Sequence, residues 1–212
     1  MTELLCGYAK STQERVFSVW AEEIPEAETR LKTRTQHFCA HALLGDVLSA
    51  EYGLHQVRIH RQGIEKPTLI HDFLHMNLSH CKRMAIAAVG NCPLGADIET
   101  PRNVKPTHLP RLLTADERAF LDAQPEMCKS FVFARFWTLK EAYAKFTGEG
   151  IRRPFGSLGF TLGEKIGFCS PDADRLRFFQ LIRGFELVVS LCVPAGEYTL
   201  SQPADGWELI CS

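Results

Sequence analysis

Two short stretches hold ionisable residues at spacings that bear on chemistry. Asp97 and Glu99 lie two apart in Gly95-Ala96-Asp97-Ile98-Glu99. On a strand, residues two apart share a face, so both carboxylates aim at one spot while Ala96 and Ile98 turn toward a core. Two carboxylates so placed repel each other, and a bound cation relieves this. Hard oxygen ligands suit Mg²⁺, which takes one or two carboxylates and completes its shell with water and phosphate oxygens. An isolated Asp-x-Glu is also common on solvated strands, so this pair needs a second constellation. Trp137, Glu141 and Lys145 are spaced by four and share a helix face. A surface Glu–Lys pair contributes only about 0.2–0.5 kcal/mol. Here Phe131, Val132, Phe133, Phe136, Leu139, Ala142, Tyr143 and Phe146 make the same segment apolar on most sides. Such a helix lies at an interface, where its charges need partners or a function. A glutamate held beside a lysine and a metal is a candidate proton acceptor.

A third set lies upstream. Lys66-Pro67 and Asn77-Leu78-Ser79-His80 supply Lys, Ser and His, all able phosphate contacts. Each alone is ordinary loop chemistry. His71 and His75 are four apart, but no further spaced Cys/His pair accompanies them and zinc is not expected.

The elements that must position these residues can be read from the patterning. Arg15–Trp20 predicts a strand, and Pro25, Glu26 and Glu28 open a helix that runs to Tyr52. Phe38, Ala42, Leu44, Val47 and Leu48 form its apolar side, and Gly53 stops it. His55–His60, Met84–Val89 and Leu94–Glu99 predict strands, the last two joined by a turn at Asn91-Cys92-Pro93. Thr114 to Glu117 predicts a capping box before a short helix. A longer helix spans Cys128 to Phe146 and ends at Gly148 and Gly150, and Leu158–Thr161, Phe178–Ile182 and Glu186–Cys192 predict strands. Each half thus sets a long helix before strands. The expected fold is α+β, with two similar lobes, 1–100 and 101–212, joined near Pro101 and Pro106.

Composition narrows the function classes. The 212 residues carry 24 basic and 25 acidic side chains, net −1, and 45% are hydrophobic. This balance does not call for nucleic acid or an anionic membrane as partner. The 8 cysteines are scattered without a Cys-x-x-Cys pair and are expected as free thiols in a reducing compartment. The start MTELLCGYAKSTQERVF lacks the pattern of a signal peptide, and the apolar runs are too short to span a bilayer, so the expected location is cytoplasmic.

Taken in order, these motifs resemble the surfactin-synthetase-activating class of 4′-phosphopantetheinyl transferases. That class shows K-P, then N-x-S-H, then G-x-D-x-E, then W-x-x-K-E-A-x-x-K-x-x-G-x-G. Here they are Lys66-Pro67; Asn77 to His80; Gly95, Asp97 and Glu99; and Trp137, Lys140, Glu141, Ala142, Lys145, Gly148 and Gly150. The resemblance implies two α/β lobes related by a pseudo-twofold axis, with the active site between them. It implies Mg²⁺-dependent transfer of phosphopantetheine from coenzyme A to a serine of an apo acyl or peptidyl carrier protein, and a two-lobe chain can build such a site as a monomer. Asp97, Glu99 and Glu141 would hold the metal, with Glu141 as ligand or base, and Lys145 would contact the transferred phosphate. Lys66, Pro67, Ser79 and His80 match coenzyme A positions, and Glu117 matches an acidic position near the active site. Two residues depart from the pattern: His41 stands where the class has Arg, and Glu65 where it has Gly before K-P. His41 can still meet phosphate with a charge set by pH, and Arg30, Lys32 and Arg34 are candidates to compensate. Acidic carriers call for a basic patch, with Lys129, Arg135, Arg152 and Arg153 as candidates. Two competing readings are a Mg²⁺-dependent nucleotidyl transferase or phosphatase, and a coenzyme A or carrier binding module without turnover. The first usually shows a Gly-rich phosphate loop, and G-x-x-x-x-G-K-[ST] is absent.

Overall fold

The computed structural model describes residues 2–11, 16–25, 33–56, 58–60, 66–70, 73–150 and 154–212. Its strands are β1 (Thr2–Ser11), β2 (Val16–Glu23), β3 (Ile59–His60), β4 (Thr68–Leu69), β5 (His75–His80), β6 (Met84–Gly90), β7 (Gly95–Glu99), β8 (Gly159–Leu162), β9 (Ile166–Cys169), β10 (Leu176–Arg183), β11 (Leu187–Pro194), β12 (Tyr198–Leu200) and β13 (Glu208–Cys211). The helices are α1 (Thr33–Tyr52), α2 (Leu109–Leu112), α3 (Ala115–Asp122) and α4 (Glu126–Thr147). The mixture of helix and sheet is the expected α+β class.

Two larger sheets build the body. One has the order β12-β1-β2-β6-β5, the other β13-β10-β11-β7. Their inner faces share one core, in which Phe17, Val19, Ile86, Ile98, Leu181 and Val189 meet. Helix α1 covers the outer face of the first sheet, packing Leu43, Leu44 and Val47 on Ala85, Ala87 and Val89. Helix α4 covers the second, with Phe136, Leu139 and Ala142 in a cluster that includes Phe178 and Cys192. Strand β6 is therefore buried on both faces, which is why Met84–Gly90 reads as an unbroken apolar run. Strand β7 follows β5 and β6 of the first sheet in the chain but pairs with β11, Asp97 opposite Ser190. In turn β12 returns to pair with β1.

Local expectations fare unevenly. Thr114 forms the capping box with Glu117, Gly53 (φ 67°) ends α1, and Gly148 (φ 73°) ends α4 in the left-handed conformation that suits glycine. The expected strand His55–His60 contracts to Ile59–His60, with residue 57 outside the described set. Phe38 is 70% exposed and Ala42 is exposed, so the buried stripe of α1 runs through Ala40, Leu43, Leu44, Val47 and Leu48 instead. Glu26 and Glu28, the expected helix opening, lie outside the described residues. Cys39, Cys81, Cys92, Cys128, Cys169, Cys192 and Cys211 carry thiols not joined in disulfides, and among the described residues no helix is long and apolar enough to cross a membrane.

Candidate active site

Strand β7 carries the acidic pair because its alternation puts Ala96 and Ile98 in the inter-sheet core and turns Asp97 and Glu99 toward α4. Helix α4 can approach this closely only because residue 95 is glycine: a Cβ there would fall on the backbone of Ala142 and Phe146. That contact brings Lys145 to the strand. Its Nζ donates to Asp97 Oδ1 at 2.7 Å and to Ala96 O at 3.1 Å. Ser79 Oγ, from β5, donates to the same Oδ1 at 2.7 Å. Asp97 is 6% exposed, and its other oxygen, Oδ2, is buried without a hydrogen-bond partner among the described residues. Three separately spaced motifs thus meet at one carboxylate.

The remaining acids shape the electrostatics. Burial and then the Asp97 carboxylate push Glu141 up to about 7, against the pull of Lys145. Glu99 is raised by burial and Asp97, while Arg102, at 3.4 Å, and a Trp137 hydrogen bond counter this. The Asp97 carboxylate raises the proton affinity of both Glu99 and Glu141, as expected of a site short of positive charge. Among the described residues no three His, Cys, Asp or Glu side chains form a ready metal cage. The donor set still fits a hard divalent cation: all-carboxylate, mutually repulsive, with a buried and unpartnered Asp97 oxygen.

Beside this cluster lies a cavity of about 240 Å³, lined by His37, Ala40 and His41 of α1, Leu78, Ser79 and His80 of β5, and Lys145. His37 stacks on His41 with centroids 4.4 Å apart and meets His80 edge-on at 6.2 Å. Burial, His37 and Lys145 hold the His80 imidazolium below its usual pKa. Ser79, His80, His41 and Lys145, expected from their motifs, therefore surround one space. His37 was missed; its signal was the i, i+4 spacing to His41 on one helix face. Lys66 and Pro67 do not line this cavity. Lys66 Nζ donates to Leu94 O, and burial lowers its amine to about 8.

Other expected residues play different parts. Glu117 is not presented to the carboxylates but enclosed in the second core, 1% exposed. Its Oε2 takes hydrogen bonds from Lys140 Nζ at 2.6 Å and Thr114 N at 2.8 Å, and its Oε1 from Phe160 N at 2.9 Å. Lys140 also donates to Phe155 O and Leu158 O. The motif lysine is thus a buried clamp between α4, the start of α3 and the segment before β8. Arg135 is no surface cation either: it is half-buried, and its Nε donates to Gln180 Oε1 at 2.7 Å. Lys129 pairs with Glu126 at 2.8 Å. Arg30, Lys32, Glu65, His71, Arg152 and Arg153 lie outside the described residues, as does the side chain of Arg34.

A family model, the 4′-phosphopantetheinyl transferase superfamily, matches residues 93–200, from β7 through α4 to β12. The chain belongs to the 4′-phosphopantetheinyl transferase superfamily. Among curated relatives, 4′-phosphopantetheinyl transferase psf-1 of Bacillus pumilus is 34% identical over 131 residues, 58% of this chain and 56% of that protein. The 4′-phosphopantetheinyl transferase Sfp of Bacillus subtilis is 27% identical over 166 residues, 72% of this chain and 74% of that one. The chain spans about half the length of the first relatives it matches, 56% and 52%. A solved holo-[acyl-carrier-protein] synthase of Thermotoga maritima aligns at 19% identity and a TM-score of 0.41, covering 56% of this chain and 82% of that one.

Proposed function

We propose that this superfamily member transfers the 4′-phosphopantetheine group of coenzyme A to a serine of an apo acyl or peptidyl carrier protein, releasing adenosine 3′,5′-bisphosphate. The observation that carries the reading is the meeting of Ser79, Asp97 and Lys145 at one buried carboxylate, beside a His-lined cavity. Asp97, Glu99 and Glu141 are the proposed holders of Mg²⁺. When bound, the ion would neutralise diphosphate charge and stabilise the leaving group.

The chain's own groups supply the rest. Glu141 either completes the metal shell or, standing off the ion, takes the proton of the attacking serine hydroxyl, a task to which a carboxyl near 7 is matched. Lys145 steadies the transferred phosphoryl group, with its ammonium already held at the strand by Ala96 O. His41 and His80 would bind phosphate of coenzyme A in the cavity, and Ser79 would join them only by turning its one hydroxyl hydrogen from Asp97 to the phosphate. Lys66 and Pro67 belong to the coenzyme A side in this reading, Lys66 after leaving Leu94 O. We read 1–100 and 101–212 as two similar lobes with pseudo-twofold symmetry, the first carrying coenzyme A contacts and the second the catalytic helix. A cytoplasmic monomer with no nucleic acid or membrane partner completes the proposal.

The test is incubation with coenzyme A, Mg²⁺ and a panel of apo carrier proteins, read by mass spectrometry for one added phosphopantetheine. Asp97→Ala is expected to abolish the gain while keeping the circular dichroism of the parent. No gain on any carrier would reject the transferase reading, and near-parental turnover by Asp97→Ala would reject the metal assignment.

A further inference from the structure

The two sheets face each other along β5 and β7, each the last strand of its sheet. No ladder joins these edges, so the outward backbone groups of β7 need other partners. Side chains provide them. Ala96 N donates to Asn77 Oδ1 at 2.8 Å, and Ile98 N reaches Ser79 Oγ at 3.5 Å. Ala96 O accepts from Lys145 Nζ at 3.1 Å. Asn77 is 6% exposed and does not line the His-rich cavity, so it is removed from any substrate there. Its reach is to the backbone of the residue immediately before Asp97.

We infer that Asn77 is a positioning residue, whose carboxamide docks β7 against β5 and thereby sets where the Asp97 carboxylate stands. A ladder would fix this register through many bonds, whereas this seam relies on two side chains two residues apart on β5. Ser79 ties the Asp97 carboxylate itself, and Asn77 ties the backbone behind it. Without Asn77, the Ala96 amide is left buried and unpaired, and β7 is free to shift relative to Ser79. Effective catalysis tolerates little misplacement of its groups, so a small shift there reaches the reaction. The consequence for activity rests on the transferase reading, whereas the docking itself does not.

Two measurements separate these. Amide hydrogen exchange on the parent protein should find the Ala96 amide protected, and Asn77→Leu, which keeps volume but has no acceptor, should exchange at least about tenfold faster at Ala96 while the β10–β11 pair is unchanged. Asn77→Asp keeps an acceptor oxygen at the same reach and should retain protection. In the transfer assay, Asn77→Leu should lose about 10–100-fold in kcat with KM for coenzyme A within about twofold, and Asn77→Asp should recover part of kcat. An Ala96 amide that exchanges freely in the parent overturns the inference whether or not any variant folds. Unchanged kcat in a folded Asn77→Leu overturns the positioning role. A parent with protected Ala96 but no transfer to any carrier rejects the transferase reading and leaves the docking supported.

Discussion

Residues with similar charge do opposite work in this protein. Lys140 and Lys145 lie five apart on α4, yet Lys140 is 0% exposed and committed to Glu117 and two carbonyls, while Lys145 stands at the acidic site. Removing one partner of a buried pair leaves an uncompensated charge. Lys140→Met is therefore expected to destabilise by about 3–5 kcal/mol in chemical denaturation, with reduced yield of folded protein. Glu141 has the reverse problem, since its carboxyl is pushed to about 7 from 4.5. Between these values the folded protein holds a proton that the unfolded chain has released, so this group's stabilising contribution falls as pH rises from about 4.5 to 7. Glu141→Gln is expected to flatten that slope and to raise metal-free stability at pH 8 by about 1–2 kcal/mol after allowance for solvent screening, read from denaturant midpoints at pH 5 and pH 8. For the same reason a cation must displace the proton. Affinity for Mn²⁺ as a probe should tighten from pH 6 to pH 8 with proton release, measured by calorimetry in buffers of different ionisation enthalpy.

At the scale of elements, the decisive contact is α4 against β7. It exists because Gly95 has no Cβ where Ala142 and Phe146 pass. Gly95→Ala must push the helix off the strand, and Lys145 with it. A loss of at least about 2 kcal/mol is expected from overpacking, together with a fall in transfer activity larger than the remaining folded fraction explains; a variant with parental Tm and activity would refute the close approach. The acid-bearing strand also unites the two sheets. It takes its ladder from β11 and its other edge from Asn77 and Ser79.

Across the whole molecule, the proposed ligands sit where several elements meet. The cavity takes residues from α1, β5 and α4, and the carboxylates stand on β7 and α4. A ligand that binds there favours the folded arrangement by mass action. Coenzyme A with Mg²⁺ at about 100 times the dissociation constant should add about 2.7 kcal/mol, or about 5–10 °C in Tm. Asp97→Asn should lose most of that shift in thermal denaturation. His41→Arg would place a permanent charge in the cavity and is expected to lower KM for coenzyme A several-fold at pH 8.

Much of this was legible without coordinates, because local rules act locally. Alternation in Gly95–Glu99 separated Ala96 and Ile98 from the two acids, the four-residue spacing of α4 grouped Glu141 with Lys145, and Thr114, Gly53 and Gly148 marked helix ends. What the chain could not disclose by pattern was pairing between distant segments. Periodicity says that β7 is buried, but not that it joins β11 rather than the sheet of its sequence neighbours. A motif ranks Lys140 and Lys145 alike until packing walls one into a core and leaves the other at the acids. The same holds for Glu117, Arg135 and Phe38, whose burial depends on which surfaces meet. Sequence by itself determined which residue types share a face; only the tertiary structure decided which faces meet, because burial and desolvation belong to contacts between segments far apart in the chain.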